Sequence, residues 1–351
     1  MAKVFIFAPS DPTEATHRRL EQNGCELVLG KAGWHNPKGN NEDEIVSLAQ
    51  DANALMGTSI RSSPINRRIM EASPYLRIVA KYTIGVDDVD LDAATDLGVL
   101  VTHGPTESNW GGVAEIAMTM MLTLLKKVRE RDENMKAGGW RAEELMGTYL
   151  GTRQDGYEGI TIGLVGLGRV ASRLADLLRP WRLRVIAYDP YVPKAKFALA
   201  GVQSVDYETL LRESDVVSFH VVLTKETHHM LGASQISMMK PSAILLNTSR
   251  GPVVDENALA EALDRGTIAG AAMDVFEDEP LPQESPLREL GHKVLLSPHM
   301  ASSNLRSGLG PGIEWATDSV LAALRGQVPD NVYNTEVIPL WQQRFGGRSV
   351  I

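Results

Sequence analysis

An apolar run, Thr161 to Val165, is followed at once by Gly166-Leu167-Gly168-Arg169-Val170-Ala171 and then by a segment of helical character, Ser172 to Leu178. That order admits few folds. Gly166 permits a tight turn at the strand end, Gly168 lets the backbone approach a bulky anion, and small Ala171 allows strand and helix to pack closely. The helix start then offers unpaired N–H groups and the positive end of a dipole, which suits a pyrophosphate. The next apolar run, Arg184 to Tyr188, leads to Asp189. An acid roughly 20 residues beyond the turn accepts hydrogen bonds from a ribose diol and repels a 2′-phosphate. These signals predict a βαβ unit that binds a dinucleotide, NAD in preference to NADP.

Around this unit the same alternation continues. Val4 to Phe7, Glu26 to Leu29, Ala54 to Met56, Arg77 to Ala80 and Val99 to Val101 are separated by polar stretches of helical character such as Glu14 to Gln22. A second series runs through Thr161 to Val165, Arg184 to Tyr188, Val216 to Phe219, Ala243 to Leu246, Ala269 to Met273 and Val294 to Leu296. The pattern predicts an α/β chain with two doubly wound parallel sheets. Between the series, Asn109 to Ala137 reads as one long helix ending at Gly138-Gly139. Trp315 to Leu324 reads as a helix that returns the chain to the first domain, although Gly308, Gly310, Pro311 and Gly312 leave its start open. The expected domains are therefore 1–105 with 305–351, and 106–304.

With 351 residues, 43% of them hydrophobic, the chain is long enough for two ordinary cores. A net charge of -9 without any Lys/Arg-rich run argues against a nucleic-acid surface. Cys25 is the single cysteine, so no internal disulfide is expected and a reducing cytoplasm is the default. The apolar start, Val4 to Ala8, is too short for a signal segment; Val113 to Leu125 is interrupted by Glu115 and shorter than the roughly 20 residues that cross a bilayer. No membrane partner is expected.

Downstream of the glycine turn stand Arg250 in Asn247-Thr248-Ser249-Arg250-Gly251, Glu279 in Asp278-Glu279-Pro280-Leu281 and His299 in Ser297-Pro298-His299-Met300. A fixed cation for an anionic substrate, an imidazole to move a proton and a carboxylate to tune it are what reduction of a 2-oxo acid by a nicotinamide requires. His220, His228 and His229 lack the company of other metal ligands, so no metal site is expected.

Further segments accompany these: Lys81-Tyr82-Thr83-Ile84-Gly85-Val86-Asp87, Asn109-Trp110-Gly111-Gly112-Val113-Ala114-Glu115 and Ala272-Met273-Asp274-Val275-Phe276. Taken together, the chain resembles the D-isomer-specific 2-hydroxyacid dehydrogenases. That family includes phosphoglycerate, glycerate/hydroxypyruvate and D-lactate dehydrogenases and, in another role, the C-terminal-binding corepressors. The resemblance implies a flavodoxin-like substrate domain built from both chain ends, a Rossmann NAD-binding domain in the middle, a cleft that closes between them, and a homodimer through the NAD-binding domains.

It also implies roles. Arg250 would pair with the substrate carboxylate and reacting oxygen, His299 would exchange a proton with that oxygen, and Glu279 would fix the imidazole. Lys81, Asn109 and the backbone near Ile84, Gly85 and Val86 are the expected substrate contacts. Gly166, Gly168, Arg169, Val170, Asp189, His220, Thr248, Ser249, Asp274 and His299 are the expected cofactor contacts, with Asp274 on the nicotinamide carboxamide. The alternatives are an NAD(H)-sensing binding protein of the corepressor kind and a formate- or phosphite-type dehydrogenase; Glu279, where formate enzymes carry Gln, disfavours formate.

Some residues depart from the family pattern. His220-Val221-Val222 lacks a customary proline, Trp110 stands where a smaller residue is usual, and the stretch between Trp140 and Gly159 is long. The tail after Asn334 extends past the usual end, and either that stretch or the tail could cover a cleft, its own or a neighbour's. Lys81 stands where phosphoglycerate enzymes have Arg, which raises a second anionic group on the substrate.

Overall fold

A computed structural model describes residues 1–31, 39–58, 64–304 and 309–351; Gly308 lies outside them. The chain divides into two units, Met1–Asn109 with Ser303–Ile351, and Trp110–Ser302.

The first unit is built on β1 (Ala2–Ala8), β2 (Cys25–Leu29), β3 (Ala54–Gly57), β4 (Ile78–Lys81) and β5 (Leu100–Thr102), in the order β2-β1-β3-β4-β5. All pairs are parallel. This is the flavodoxin-like doubly wound order. Alternate residues of β1 serve opposite cores: Val4 and Ile6 join one, Phe5 and Phe7 the other. A sheet covered on both faces explains why its strands read as unbroken apolar runs.

The helix Gly310–Leu324 begins earlier than Trp315, with proline in its first turn where no helical N–H bond is lost. Gly312 is required there, since an added Cβ would lie 2.0 Å from the Tyr82 carbonyl oxygen. The tail after Asn334 forms the helix Ile338–Phe345, whose Trp341 is fully buried and donates its Nε1–H to the Arg77 carbonyl at 2.9 Å. It is part of the first unit's core.

The second unit holds β6 (Thr161–Val165), β7 (Arg184–Tyr188), β8 (Gln203–Ser204), β9 (Val216–Phe219), β10 (Ile244–Asn247), β11 (Gly270–Met273) and β12 (Val294–Leu296), all parallel, in the order β12-β11-β10-β9-β6-β7-β8. The order reverses between β6 and β9, as in a Rossmann sheet. β8 has no sequence signal because both of its residues are exposed and polar.

The segment expected as one helix is two, Glu107–Leu125 and Val128–Lys136. Lys127 takes a left-handed conformation (φ 52°), which no α-helix propagates through. The stretch that follows is tied to this break: Lys126 Nζ donates to the Thr148 carbonyl, Lys127 Nζ to that of Glu144 and Arg131 Nε to that of Leu145. Among the described residues, no helix is long and apolar enough to cross a membrane.

Candidate active site

The expected cofactor and catalytic residues of the second unit all follow the C-terminal ends of its parallel strands, the end at which doubly wound sheets bind ligands. Gly166 leaves β6 with φ 87°, and an added Cβ would lie 2.7 Å from the His220 carbonyl oxygen at the end of β9. The two ends that meet at the switch point therefore touch through a residue that must be glycine. Gly168 begins the helix Arg169–Leu178 with no side-chain cap, and a Cβ there would meet nothing within 4 Å. Uncapped N–H groups facing open space fit a diphosphate, so this cradle suits a dinucleotide.

Asp189 braces the turn. Its Oδ2 accepts the Leu167 N–H at 2.8 Å and its Oδ1 the Tyr191 N–H at 2.9 Å. Arg169 is exposed and Val170 half-buried on the first helical turn. The His220 ring meets Ser218 Oγ through Nε2 at 2.9 Å, and burial pushes its pKa down to about 4, so it is neutral at neutral pH.

After β10 the chain folds around the fully buried side chain of Asn247. Its Oδ1 accepts from Ser249 N and Oγ at 3.1 and 2.8 Å, and its Nδ2 donates to the Arg250 carbonyl at 2.9 Å. Arg250 Nη1 donates to the Ser249 carbonyl at 2.7 Å. Gly251 follows, with the Phe276 backbone so close that a Cβ would sit 1.9 Å from its carbonyl carbon. Thr248 Oγ1 is buried without a hydrogen-bond partner. Asn247 is an organiser that the sequence reading passed over, although a short amide beside Ser is a known turn signal.

His299 and Glu279 meet. Nδ1 lies 2.8 Å from Oε2 and 3.1 Å from Oε1, and Glu279 Oε1 also accepts the Phe276 N–H at 3.0 Å. The Glu279 side chain is 8% exposed and that of His299 33%. Asp274, 1% exposed, takes the Met300 N–H on Oδ1 and the Ala301 N–H on Oδ2, each at 3.0 Å. Burial raises its pKa, against the pull of the Ser297 hydroxyl and those N–H groups. The acidic stretch is anchored as well: Glu277 Oε1 meets His229 Nε2 at 2.7 Å, and the Glu277 N–H donates to Glu256 Oε1 at 2.5 Å. A pair 48 residues apart leaves no trace in sequence spacing.

In the first unit, Ile84 and Gly85 are half-buried and Val86 is buried. The Gly85 carbonyl accepts from Thr83 Oγ1 at 3.1 Å, and the Val86 carbonyl from Val89 N at 2.9 Å. Asn109 is half-buried in the first turn of its helix, with Trp110 beside it, also half-buried. Lys81 ends β4. It has no exposed surface, and its Nζ lies 2.5 Å from Asp88 Oδ2, because the end of β4 is enclosed by the first unit's own core.

A family model described as D-isomer specific 2-hydroxyacid dehydrogenase, NAD binding domain, matches residues 118–301. The chain belongs to that family. It is 39% identical over 341 residues to a glyoxylate reductase of Korarchaeum cryptofilum, covering 96% of this chain and 97% of that one. It is 34% identical over 325 residues to a glyoxylate reductase of Thermococcus litoralis, covering 92% and 96%. A D-lactate dehydrogenase of Aquifex aeolicus, solved with NAD and lactic acid, superposes with a TM-score of 0.78 at 27% identity, covering 96% of this chain and 97% of that one. As a D-2-hydroxyacid dehydrogenase, the chain is an NAD-dependent oxidoreductase that interconverts a small 2-oxo acid and its D-2-hydroxy acid. The corepressor-like and formate- or phosphite-type alternatives are not favoured.

Proposed function

We propose that His299 is the acid/base of this reaction, Arg250 the substrate clamp and Glu279 the partner that holds His299, with a short 2-oxo acid such as glyoxylate as substrate. The observation that carries the reading is the 2.8 Å contact of Glu279 with Nδ1, which orients the imidazole; the reading gives proton transfer to Nε2. Bound NADH supplies the hydride that C2 of the substrate receives.

Arg250 presents several donors in a rigid, permanently charged fork, which holds a carboxylate and polarises the neighbouring carbonyl oxygen. His299 protonates that oxygen during reduction and takes the proton back from the hydroxyl in oxidation. Glu279 fixes the tautomer and stabilises the imidazolium, the orienting logic of a Ser-His-Asp triad without a nucleophile. The N–H groups near Ile84, Gly85 and Val86, with Asn109, anchor the substrate carboxylate. Gly166, Gly168, Arg169 and Val170 hold the diphosphate, Asp189 the ribose, and His220, Thr248 and Ser249 line the cofactor through the strand ends. Asp274, whose four lone-pair sites exceed the donors Met300 N–H, Ala301 N–H and the Ser297 hydroxyl, accepts the carboxamide. In this reading 106–304 is the NAD-binding domain, and 1–105 with 305–351 the substrate-binding domain.

The reading extends to a cytoplasmic homodimer joined through the NAD-binding domains. Exposed Met135 (52%), Trp140 (67%) and Met146 (64%) support it, being large apolar side chains grouped in one stretch of that unit. Light scattering with size exclusion tests the dimer. For the reaction, NADH oxidation is followed with a panel of 2-oxo acids; His299→Ala and Arg250→Ala are each expected to lower kcat by about 10²–10⁴. Inactivity of the wild type across the panel would sink the proposal.

A further inference from the structure

Glu279, which meets His299, is itself tied to the backbone that carries it. Its Oε1 accepts the Phe276 N–H at 3.0 Å, so the loop after β11 folds its carboxylate back on its own chain. The next N–H along that chain, that of Glu277, donates to Glu256 Oε1 at 2.5 Å. Glu256 returns the contact. Its own N–H donates to Glu277 Oε1 at 3.3 Å, and His229 Nε2 meets the same oxygen at 2.7 Å. The His229 N–H donates to the Pro252 carbonyl at 2.7 Å, which ties a third segment to the other two. The segments are in close contact, since a Cβ on Gly251 would collide with the Phe276 carbonyl and Glu277 N. A continuous series of contacts thus runs from Glu256 through the 276–277 peptide and Glu279 to Nδ1 of His299.

We infer that Glu256 is a positioning residue for proton transfer: its carboxyl oxygen fixes the 276–277 peptide, and through it the carboxylate of Glu279 that orients His299. This rests on the acid/base reading above and adds a residue to it.

Local structure explains why Glu256 can serve. It is half-buried and opens the helix Glu256–Asp264, whose capping falls to Asp255, with Oδ1 accepting the Ala258 N–H at 2.9 Å. The Glu256 side chain therefore reaches outside its own helix. What the contact needs is an acceptor of the right length, not a charge. Burial pushes the Glu256 pKa up to about 7, with the charges of Glu277, Asp278 and Glu279 adding to the rise, and the uncharged carboxyl still accepts through its carbonyl oxygen. The Arg250 turn has a separate anchor in Asn247, so loss of the Glu256 contact falls on kcat and spares substrate binding.

The test measures kcat, and KM for NADH and for the 2-oxo acid that the wild type reduces fastest, in three variants. Glu256→Met fills the space without an acceptor, Glu256→Asp keeps the charge but is one methylene short, and Glu256→Gln keeps both length and an acceptor oxygen. The first two are expected to lower kcat by about ten- to a hundredfold, the effect of a small misplacement, with both KM values within about twofold of wild type. Glu256→Gln is expected to keep kcat within about threefold of wild type. An acid suits the first turn of a helix, so Glu256→Asp carries the test if Glu256→Met fails to fold. Wild-type kcat in a folded Asp or Met variant overturns the inference, as does a Gln variant that falls as far as those two, or a loss seen in KM alone. Wild-type kcat in His299→Ala, or inactivity of the wild type towards every 2-oxo acid, overturns the underlying reading as well.

Discussion

Asp274 grips the backbone directly after His299: its two carboxylate oxygens take the N–H groups of Met300 and Ala301. His299 itself has φ 54°, in the left-handed region, where a side chain of its kind is held at a cost of on the order of 1 kcal/mol. The clamp keeps that conformation in place and with it the direction of the imidazole. Asp274→Ala would leave the buried Ala301 N–H without its acceptor, at a cost of about 1–3 kcal/mol, and the part-buried Met300 N–H without its own. A fall in denaturant midpoint together with a loss of kcat is expected. Unchanged kcat in a folded variant would show that the histidine loop holds itself.

Asp189 ties the glycine turn to the strand end beside it, so its removal acts on the cofactor twice, through the ribose and through the turn. Asp189→Ser is expected to raise KM for NADH by about tenfold, the value of one good hydrogen bond to a charged group, and to narrow the preference over NADPH. Initial rates with both cofactors measure this. A variant with wild-type KM and preference would remove Asp189 from the site.

Glu256 carries a pH signature. Burial pushes its pKa up to about 7; the Glu277 N–H opposes the rise, and the charges of Glu277, Asp278 and Glu279 add to it. Between the ordinary value of 4.5 and about 7 the folded state then binds more protons than the unfolded one, so this group's contribution to stability is present below 4.5 and is lost as pH rises through 7. Glu256→Gln removes the loss. Melting temperatures across that window are expected to improve for the variant relative to wild type as pH rises; a constant difference would count against the assignment.

Trp341 fills the first unit's core with no exposed surface and adds a hydrogen bond to Arg77. Trp341→Ala is expected to destabilise by about 3–5 kcal/mol, as large buried aromatics do. Urea unfolding reads this out directly. A loss below about 1 kcal/mol would mean that the helix is an ornament on a core complete without it.

The strands were legible because buried parallel strands leave unbroken apolar runs: Thr161–Val165, Arg184–Tyr188 and Val216–Phe219 have the same bounds in sequence and structure. The break at Lys127 was not, since a lysine in a left-handed turn carries no signature. Of the site, the contact of Glu279 with His299 follows what their chemistry suggested. The tasks of Asn247 and Asp274 did not show, because each depends on partners that only folding brings near. Lys81 shows the limit most clearly. A sequence displays the charge of a residue, and only the fold displays the carboxylate beside it.

The helices Gly310–Leu324 and Ile338–Phe345 cover one face of a sheet whose first strand is Ala2–Ala8. On the ribosome, residues 110–302 emerge before either helix does, so the middle unit can fold while that face of β1–β5 has only Leu20 of the helix Ala15–Gln22 against it. The strands made first are thus the last to be finished. A nascent chain stalled before residue 310 displays Val4, Ile6, Ile78 and Ala80 to its surroundings, a patch that invites a chaperone or a neighbouring chain until translation moves on.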